Sequence, residues 1–400
     1  MRFIRLLVIL LSLACVPLSS HAAEVKMTSS TQYLWYQDYV ADKGQDEIAQ
    51  YLRLNVTKID KEGKINFYSY GRLTKQISSG EDTLGRLYYG YVDYRDVVKD
   101  HLDLKAGRTF VNAAAVAGTM DGIYLDFKNL GPLGVTVFGG RDVIFQDRKE
   151  IGGGNALMGG SVYLDTVKNT HVEVSYGKTY RDSEVARENV GIDFSTTPFE
   201  ISNFYGRAKY DTKAERYNEL LFGASLAPLK DLILRGEYFQ SYPTFDAKSI
   251  YNIFAVDKYQ EKSIAAEYYL TKDYRVSVKY AKEDFSGDAT ADVYQVGLFA
   301  RPIKALTLNA SFEKRNGYAG QLSGIRLFGQ YQLDKAAILA GIDYDDFRRE
   351  ASREGSAKKY WAGVNYQFTK IMSAVARVEQ NYDYNYDNSY QGFVAFNVNY

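Results

Sequence analysis

From about Met27 to Tyr400 the chain alternates apolar and polar residues with a period of two. Residues 262–270 place Ile264, Ala266, Tyr268 and Leu270 on one face, opposite Ala265, Glu267 and Tyr269. Residues 306–312 set Leu306, Leu308, Ala310 and Phe312 against Thr307, Asn309 and Ser311, and residues 360–368 repeat the pattern. Half-buried strands read this way, and ~10 residues per segment is the length that crosses a membrane. A soluble sandwich or propeller shows the same alternation, so the connections have to discriminate. Short ones (61–64, 97–101, 130–134, 167–170, 197–200, 227–231, 271–274, 302–305, 334–336 and 369–372) alternate strictly with longer polar ones. The long class comprises 40–47, 78–85, 112–120, 142–155, 181–187, 211–217, 242–258, 285–291, 315–321, 345–358 and 383–388. Short turns on one rim and long loops on the other are a barrel property that a sandwich has no reason to share.

The expected fold is therefore all-β, a transmembrane antiparallel up-and-down β-barrel of about 22 strands (20 at the least), with no plug domain. The even number puts both termini on the short-turn, periplasmic side. Pro132, Pro198, Pro228 and Pro302 fall in the short turns and Pro243 opens a long loop, so no proline is expected to interrupt a ladder.

Residues 1–22 read as a cleaved signal peptide: Arg2 and Arg5 precede an apolar run from Leu6, and Ser20 and Ala22 provide the small-residue cleavage rule. Cys15 invites a lipoprotein reading, but Ser12 stands where a large aliphatic is expected. The barrel domain is then 23–400. No later segment approaches the ~20 apolar residues of a membrane helix. A spanning chain without such helices must close a barrel, because every backbone group needs a partner in lipid.

At the C-terminus Val394, Phe396, Val398 and Tyr400 occupy alternate positions and end on an aromatic. This resembles the terminal strand by which Gram-negative assembly machinery recognises its barrels, with Tyr in place of the usual Phe. Leu104–Arg108 is similar to a Gly-Arg strand segment of porins. The chain thus resembles outer-membrane porin-type barrels over residues 23–400. The resemblance implies an outer-membrane location, contact with lipid and lipopolysaccharide, and delivery by the assembly machinery.

Polar-in alternation directs Arg72, Lys105, Glu173, Arg207, Lys209, Glu219, Arg235, Glu237, Glu267, Lys279, Glu313, Arg326, Asp343, Arg377 and Glu379 into the lumen. On the lipid face a mid-bilayer Arg or Lys costs ~2–4 kcal/mol. These charges either line a path for solutes or pair across neighbouring strands, as expected for Arg235 and Glu237 with Glu219. Gly107, Gly177, Gly223, Gly297, Gly341 and Gly363 share that face, which means curvature or space reserved for something inside. Tyr238, Tyr268, Tyr280, Tyr331, Tyr344 and Tyr366 share the outer parity and fit aromatic girdles. Tyr68, Tyr70, Tyr163, Tyr269 and Trp361 have the inner parity.

Composition excludes several chemistries. Lys+Arg 49 against Asp+Glu 49 leaves no basic excess for nucleic acid. One cysteine excludes disulfide scaffolds, cysteine zinc sites, iron–sulfur clusters and covalent haem. His21, His101 and His171 are the only histidines, and the last two fall at short turns, so no enzyme, metal or cofactor is expected. Asp345 and Asp346 read as an ordinary acidic loop.

Two functions remain open. One is passive diffusion of ions and small hydrophilic solutes. The other is a sheath around a partner such as a multihaem cytochrome, which would carry all the redox centres. A TonB-type transporter would need a plug, and a purely structural barrel is a further alternative. An unplugged lumen this wide needs a constriction. The expected one is the loop 242–258, with Phe245, Ile250, Tyr251, Ile253 and Phe254 folding inward, or capping its own hairpin.

Overall fold

The computed structural model describes residues 23–38, 43–80, 82–145, 150–151, 155–242, 258–286, 289–318, 320–350, 353–383 and 386–400. The signal-peptide reading of residues 1–22 and the loop residues Phe245, Ile250, Tyr251, Ile253 and Phe254 lie outside them. The first strands are β1 (Glu24–Asp38), β2 (Lys43–Thr57), β3 (Ile65–Gln76), β4 (Leu84–Val98), β5 (Leu102–Ala113), β6 (Val116–Leu130) and β7 (Leu133–Asp142). A small ribbon of β8 (Ile144–Phe145) and β9 (Glu150–Ile151) stands apart. The wall resumes with β10 (Ala156–Leu164), β11 (Thr170–Arg181), β12 (Glu184–Phe199), β13 (Ser202–Asp211), β14 (Arg216–Leu229), β15 (Leu232–Ser241) and β16 (Tyr259–Thr271). It continues through β17 (Tyr274–Phe285), β18 (Ala289–Ile303), β19 (Leu306–Gly317), β20 (Gly320–Gln332) and β21 (Ala336–Glu350). The last three are β22 (Arg353–Gln367), β23 (Met372–Asp383) and β24 (Tyr386–Asn399).

Apart from the ribbon, these strands form one 22-stranded sheet in which each pairs antiparallel with its neighbour in sequence. The sheet closes where β24 meets β1, from Thr28↔Asn399 to Trp35↔Gly392. Met27 and Tyr400 exchange two backbone hydrogen bonds of 2.8 Å across this seam. Closure leaves no free edge, which is the condition for a sheet to sit in lipid.

The register carries one parity outward all the way round. In β16–β18 the cross-strand rows Ile264↔Tyr280↔Tyr294 and Ala266↔Val278↔Val296 lie on the outer face. Ile264 is 61% and Val278 47% exposed, an arrangement stable only against an apolar solvent. Aromatic pairs border the apolar band at both ends. Tyr280–Tyr294 (5.2 Å) and Tyr360–Tyr382 (6.2 Å) lie toward the long-loop rim, Tyr366–Phe368 (4.9 Å) and Phe368–Phe396 (6.2 Å) toward the short-turn rim. Asp100, Asn129 and Asn169 take positive φ (61°, 54° and 56°) at short turns, a conformation their side chains tolerate.

Two expectations need correcting. Much of what read as long loops is strand: β21 and β22 are 15 residues each, and only 351–352 separate them. A strand that protrudes into water is polar on both faces, so its alternation vanishes although its ladder continues. Pro198, Pro228 and Pro302 lie within the last residues of β12, β14 and β18 rather than beyond them. Each sits where the register shifts, at Thr196/Phe199, Leu226/Leu229 and Ala300/Ile303, so no ladder hydrogen bond is lost.

Candidate functional site: the lumen wall and an inward hairpin

The β5–β6 hairpin departs from the wall. β5 last pairs with β4 at Gly90↔Arg108, and beyond that point it pairs with β6 alone. Gly107 has φ +124°, and a Cβ there would stand 2.5 Å from the Gly90 carbonyl oxygen, so glycine is required at this bend. Arg108 fills the opening that results. Its Nε and Nη2 donate to the two carboxylate oxygens of Asp121 at 2.7 and 2.8 Å, and Nη1 donates to the Leu87 carbonyl at 2.9 Å. The guanidinium thus joins the departing hairpin to β4.

The hairpin then folds inward over β7 and β10 and docks on β11 and β12. Its turn is Ala114-Ala115, two residues between paired Ala113 and Val116. The Ala114 amide donates to Glu173 Oε1 at 3.1 Å and the Ala115 amide to Ser175 Oγ at 2.8 Å. A Cβ at Gly177 would stand 2.6 Å from Val116, and one at Gly191 would stand 2.4 Å from the backbone of Ala114 and Ala115. Between hairpin and wall lies a buried apolar cluster of Val111, Val116, Met120, Phe138 and Leu157. Among the described residues, this cluster of large buried side chains lies on the barrel's inner side, under the hairpin. Burying Val111 and Val116 alone is worth ~1.5–3 kcal/mol each, which holds the hairpin down.

Residues 112–120 read as an outward loop, yet they form the hairpin's tip. The signal was available: Val111, Val116, Met120, Phe138 and Leu157 are apolar residues on a face that is polar elsewhere. The space expected beside the inner glycines is filled at Gly177 by Val116 of the hairpin.

All the charged residues assigned to the lumen share the face opposite the apolar stripe. Most are engaged with neighbours. Arg207 bonds Asp193 at 2.8 Å, Lys279 bonds Glu261 at 2.8 Å and Arg275 bonds Glu267 at 3.3 Å. Arg326 bonds Asp345 at 3.1 Å, Lys359 bonds Asp343 at 2.9 Å and Arg377 bonds Glu379 at 2.9 Å. Glu237 accepts from the Tyr205 hydroxyl (2.7 Å), Glu313 accepts from Gln295 (2.8 Å), and Lys105 Nζ lies 5.3 Å over the Tyr124 ring. Lys209 is the cross-strand partner of Glu219. The expected grouping of Arg235 and Glu237 with Glu219 does not form. The register sets Arg235 opposite Ser225, Glu237 opposite Gly223 and Glu219 opposite Ser241.

A second feature of the inner wall was read only in part: Tyr68 and Tyr70 have the inner parity, but their partners Tyr51, Tyr88 and Tyr91 were not singled out. On β2–β4 the rings of Tyr51, Tyr70 and Tyr88 stack in sequence at 6.3 and 5.0 Å. Tyr68 and Tyr91 continue the shelf at 5.4 Å. The Arg53 guanidinium lies 5.0 Å over Tyr70, and Arg72 lies 5.9 Å from the Tyr51 ring. Neither arginine has a carboxylate within ion-pair distance among the described residues. On β24, Val394 and Phe396 face outward, and Tyr400 completes the seam with Met27.

No protein-family model matches the chain, and no curated protein matches it in sequence. Solved structures do match. OpdO of Pseudomonas aeruginosa has a TM-score of 0.50 at 10% identity, covering 94% of this chain and 97% of that one. The outer membrane protein OpdK of the same organism gives 0.49 at 9% identity, covering 94% and 98%. A BenF-like porin of Pseudomonas fluorescens Pf-5 gives 0.48 at 10%, with the same coverages. At these identities the likeness is one of fold, a porin-type barrel. A closed barrel with an apolar belt between aromatic girdles has its place in an outer membrane.

Proposed function

We infer that the protein is an outer-membrane channel for the passive diffusion of ions and small hydrophilic solutes. The inward hairpin carries this reading. A barrel of 22 strands needs its lumen narrowed to avoid leaking, and the β5–β6 hairpin, docked on the inner face of β11 and β12, takes up part of that space. The paired charges on the inner wall solvate a water-filled lumen at little net field. Arg53 and Arg72, neither of them ion-paired among the described residues, add a local positive potential on the side where the tyrosine shelf lies. The sheath reading is less well supported, because the hairpin occupies space that an enclosed cytochrome would need. Loop 242–258 stays a candidate second constriction. Neither assembly-machinery recognition through Val394, Phe396, Val398 and Tyr400 nor a catalytic role is needed for the channel reading.

Purified protein added to a planar bilayer should produce stepwise conductance increments. Failure to conduct, together with recovery of a haem protein from native membranes by the tagged barrel, would overturn the channel in favour of the sheath.

A further inference from the structure

The outer wall is not uniform. Across β18–β24 it carries a depression of ≈ 760 Å³ whose lining is overwhelmingly apolar. Small outward residues (Ala310, Gly329, Ala340 and Ala362) form its floor, and Leu298, Leu327 and Ile342 form ridges beside them.

The extracellular border of this groove carries lysines and hydrogen-bonding side chains. Tyr360, Gln380 and Tyr390 line its upper end. Lys358 is one outward position above Tyr360, paired between Tyr344 and Tyr382, with Nζ 5.6 Å over the Tyr344 ring. Lys314 stands on the same border between Tyr294 and Ser323. Beyond it Lys262 and Lys282 are direct cross-strand partners, and Asp292 stands opposite Lys282 on its other side. The carboxylates on this border include Asp284, one outward position beyond Lys282, Asp292, which accepts from the Tyr280 hydroxyl at 2.7 Å, and Asp346, opposite Ser323 and Ser356. None of the four lysines has an ion pair among the described residues, and all point away from the lumen, so no permeating solute reaches them.

We propose that this groove and its lysines form a binding site for a phosphorylated, multiply acylated lipid of the outer leaflet, the chemistry of lipopolysaccharide. Acyl chains lie along the small-residue floor and the phosphates meet Lys314 and Lys358, with Lys262 and Lys282 extending the row of lysines. An acyl chain gains little by leaving other lipid for an apolar groove, so selectivity must come from the phosphate contacts, while the groove fixes where the lipid sits. The Gln380 amide, which donates to the Tyr390 hydroxyl at 2.8 Å, adds a neutral donor group beside the sugar–phosphate level.

The full-length barrel in detergent, stripped of native lipid, tests this by native mass spectrometry with bis-phosphorylated lipid A, phosphatidylethanolamine and inorganic phosphate as separate probes. Lipid A should be retained in preference to both. Each of Lys314→Gln and Lys358→Gln should weaken it about fivefold, from the ~1 kcal/mol a lysine contributes at an anionic lipid surface. Ala340→Phe should displace lipid A while leaving the heat-modifiable gel shift of the folded barrel unchanged. Equal retention of phosphatidylethanolamine, equal binding of inorganic phosphate, or indifference of lipid A to both lysine variants would each overturn the proposal. Conductance of the variants should match wild type, which separates this site from the channel reading.

Discussion

Gly191→Val tests whether the hairpin is held by the contacts described. The added Cβ would meet the Ala114 carbonyl carbon and the Ala115 nitrogen at 2.4 Å, where ordinary contact begins at 3.4 Å. The obstacle is backbone, so the tip has to retreat by about 1 Å, the difference of those two distances. That stretches the bonds to Glu173 and Ser175 from 3.1 and 2.8 Å to about 4.1 and 3.8 Å, beyond hydrogen-bonding range. A bond to a charged acceptor is worth ~1.5–3 kcal/mol and a neutral one ~0.5–1.5, so the loss is roughly 2–4.5 kcal/mol. At ~1.4 kcal/mol per decade, the undocked population rises by roughly 30- to 1600-fold. Val111 is 1% exposed, so a Val111→Cys background reports undocking as reaction with a membrane-impermeant maleimide. The sole native cysteine, Cys15, lies in the segment read as a signal peptide. Gly236→Val is the control, because a Cβ there meets nothing within 4 Å. Labelling and single-channel conductance should both rise in Gly191→Val and not in Gly236→Val. Identical behaviour of the two variants would refute the docking argument.

Three further outcomes follow from the same geometry. Val278→Arg should lower the yield of folded, heat-modifiable barrel, since its outward side chain meets lipid at a cost of ~2–4 kcal/mol, whereas inward Ser277→Arg should fold normally; equal yields would contradict the register. Arg108→Ala should lower the unfolding midpoint in urea, by less than the ~3–5 kcal/mol of a fully buried pair because the Asp121 side chain is 35% exposed. No change would mean that the bend stands without its guanidinium. Arg53→Gln with Arg72→Gln should shift the zero-current potential in a KCl gradient toward cation preference, and an unmoved potential would place the tyrosine shelf off the ion path.

The wall was legible because one physical condition governs it. A strand between lipid and water must alternate, and that condition alone assigns Ile264, Val278 and Val296 to one side and Glu267, Lys279 and Glu313 to the other. Legibility ended where the condition ended. Asp345, Asp346 and Arg348 read as loop, but they continue β21 into water, where both faces are polar and only the backbone ladder marks a strand. Pairing partners were harder still. Which residue faces Arg235 depends on the length of the β14–β15 turn and the register shift beside Pro228, and those set Ser225 there instead of Glu219. Parity is a local property of the chain; partnership is not.

The hairpin shows how a site can be written in exceptions to the pattern that builds the fold. Apolar Val111, Val116, Met120, Phe138 and Leu157 violate the polar-in rule on four separate strands, and a violation shared by neighbours requires a common apolar partner. Gly177 and Gly191 violate strand preference on two more, and the direction of their missing side chains marks where that partner lands. Gly107 supplies the bend that lets β5 reach them. Each residue alone has an ordinary explanation in barrel curvature. Taken together on one arc of the wall, from β5 to β12, they require an element lying over β7 and β10. Among the described residues, the hairpin that begins at Gly107 has the reach and the apolar face to fill that place.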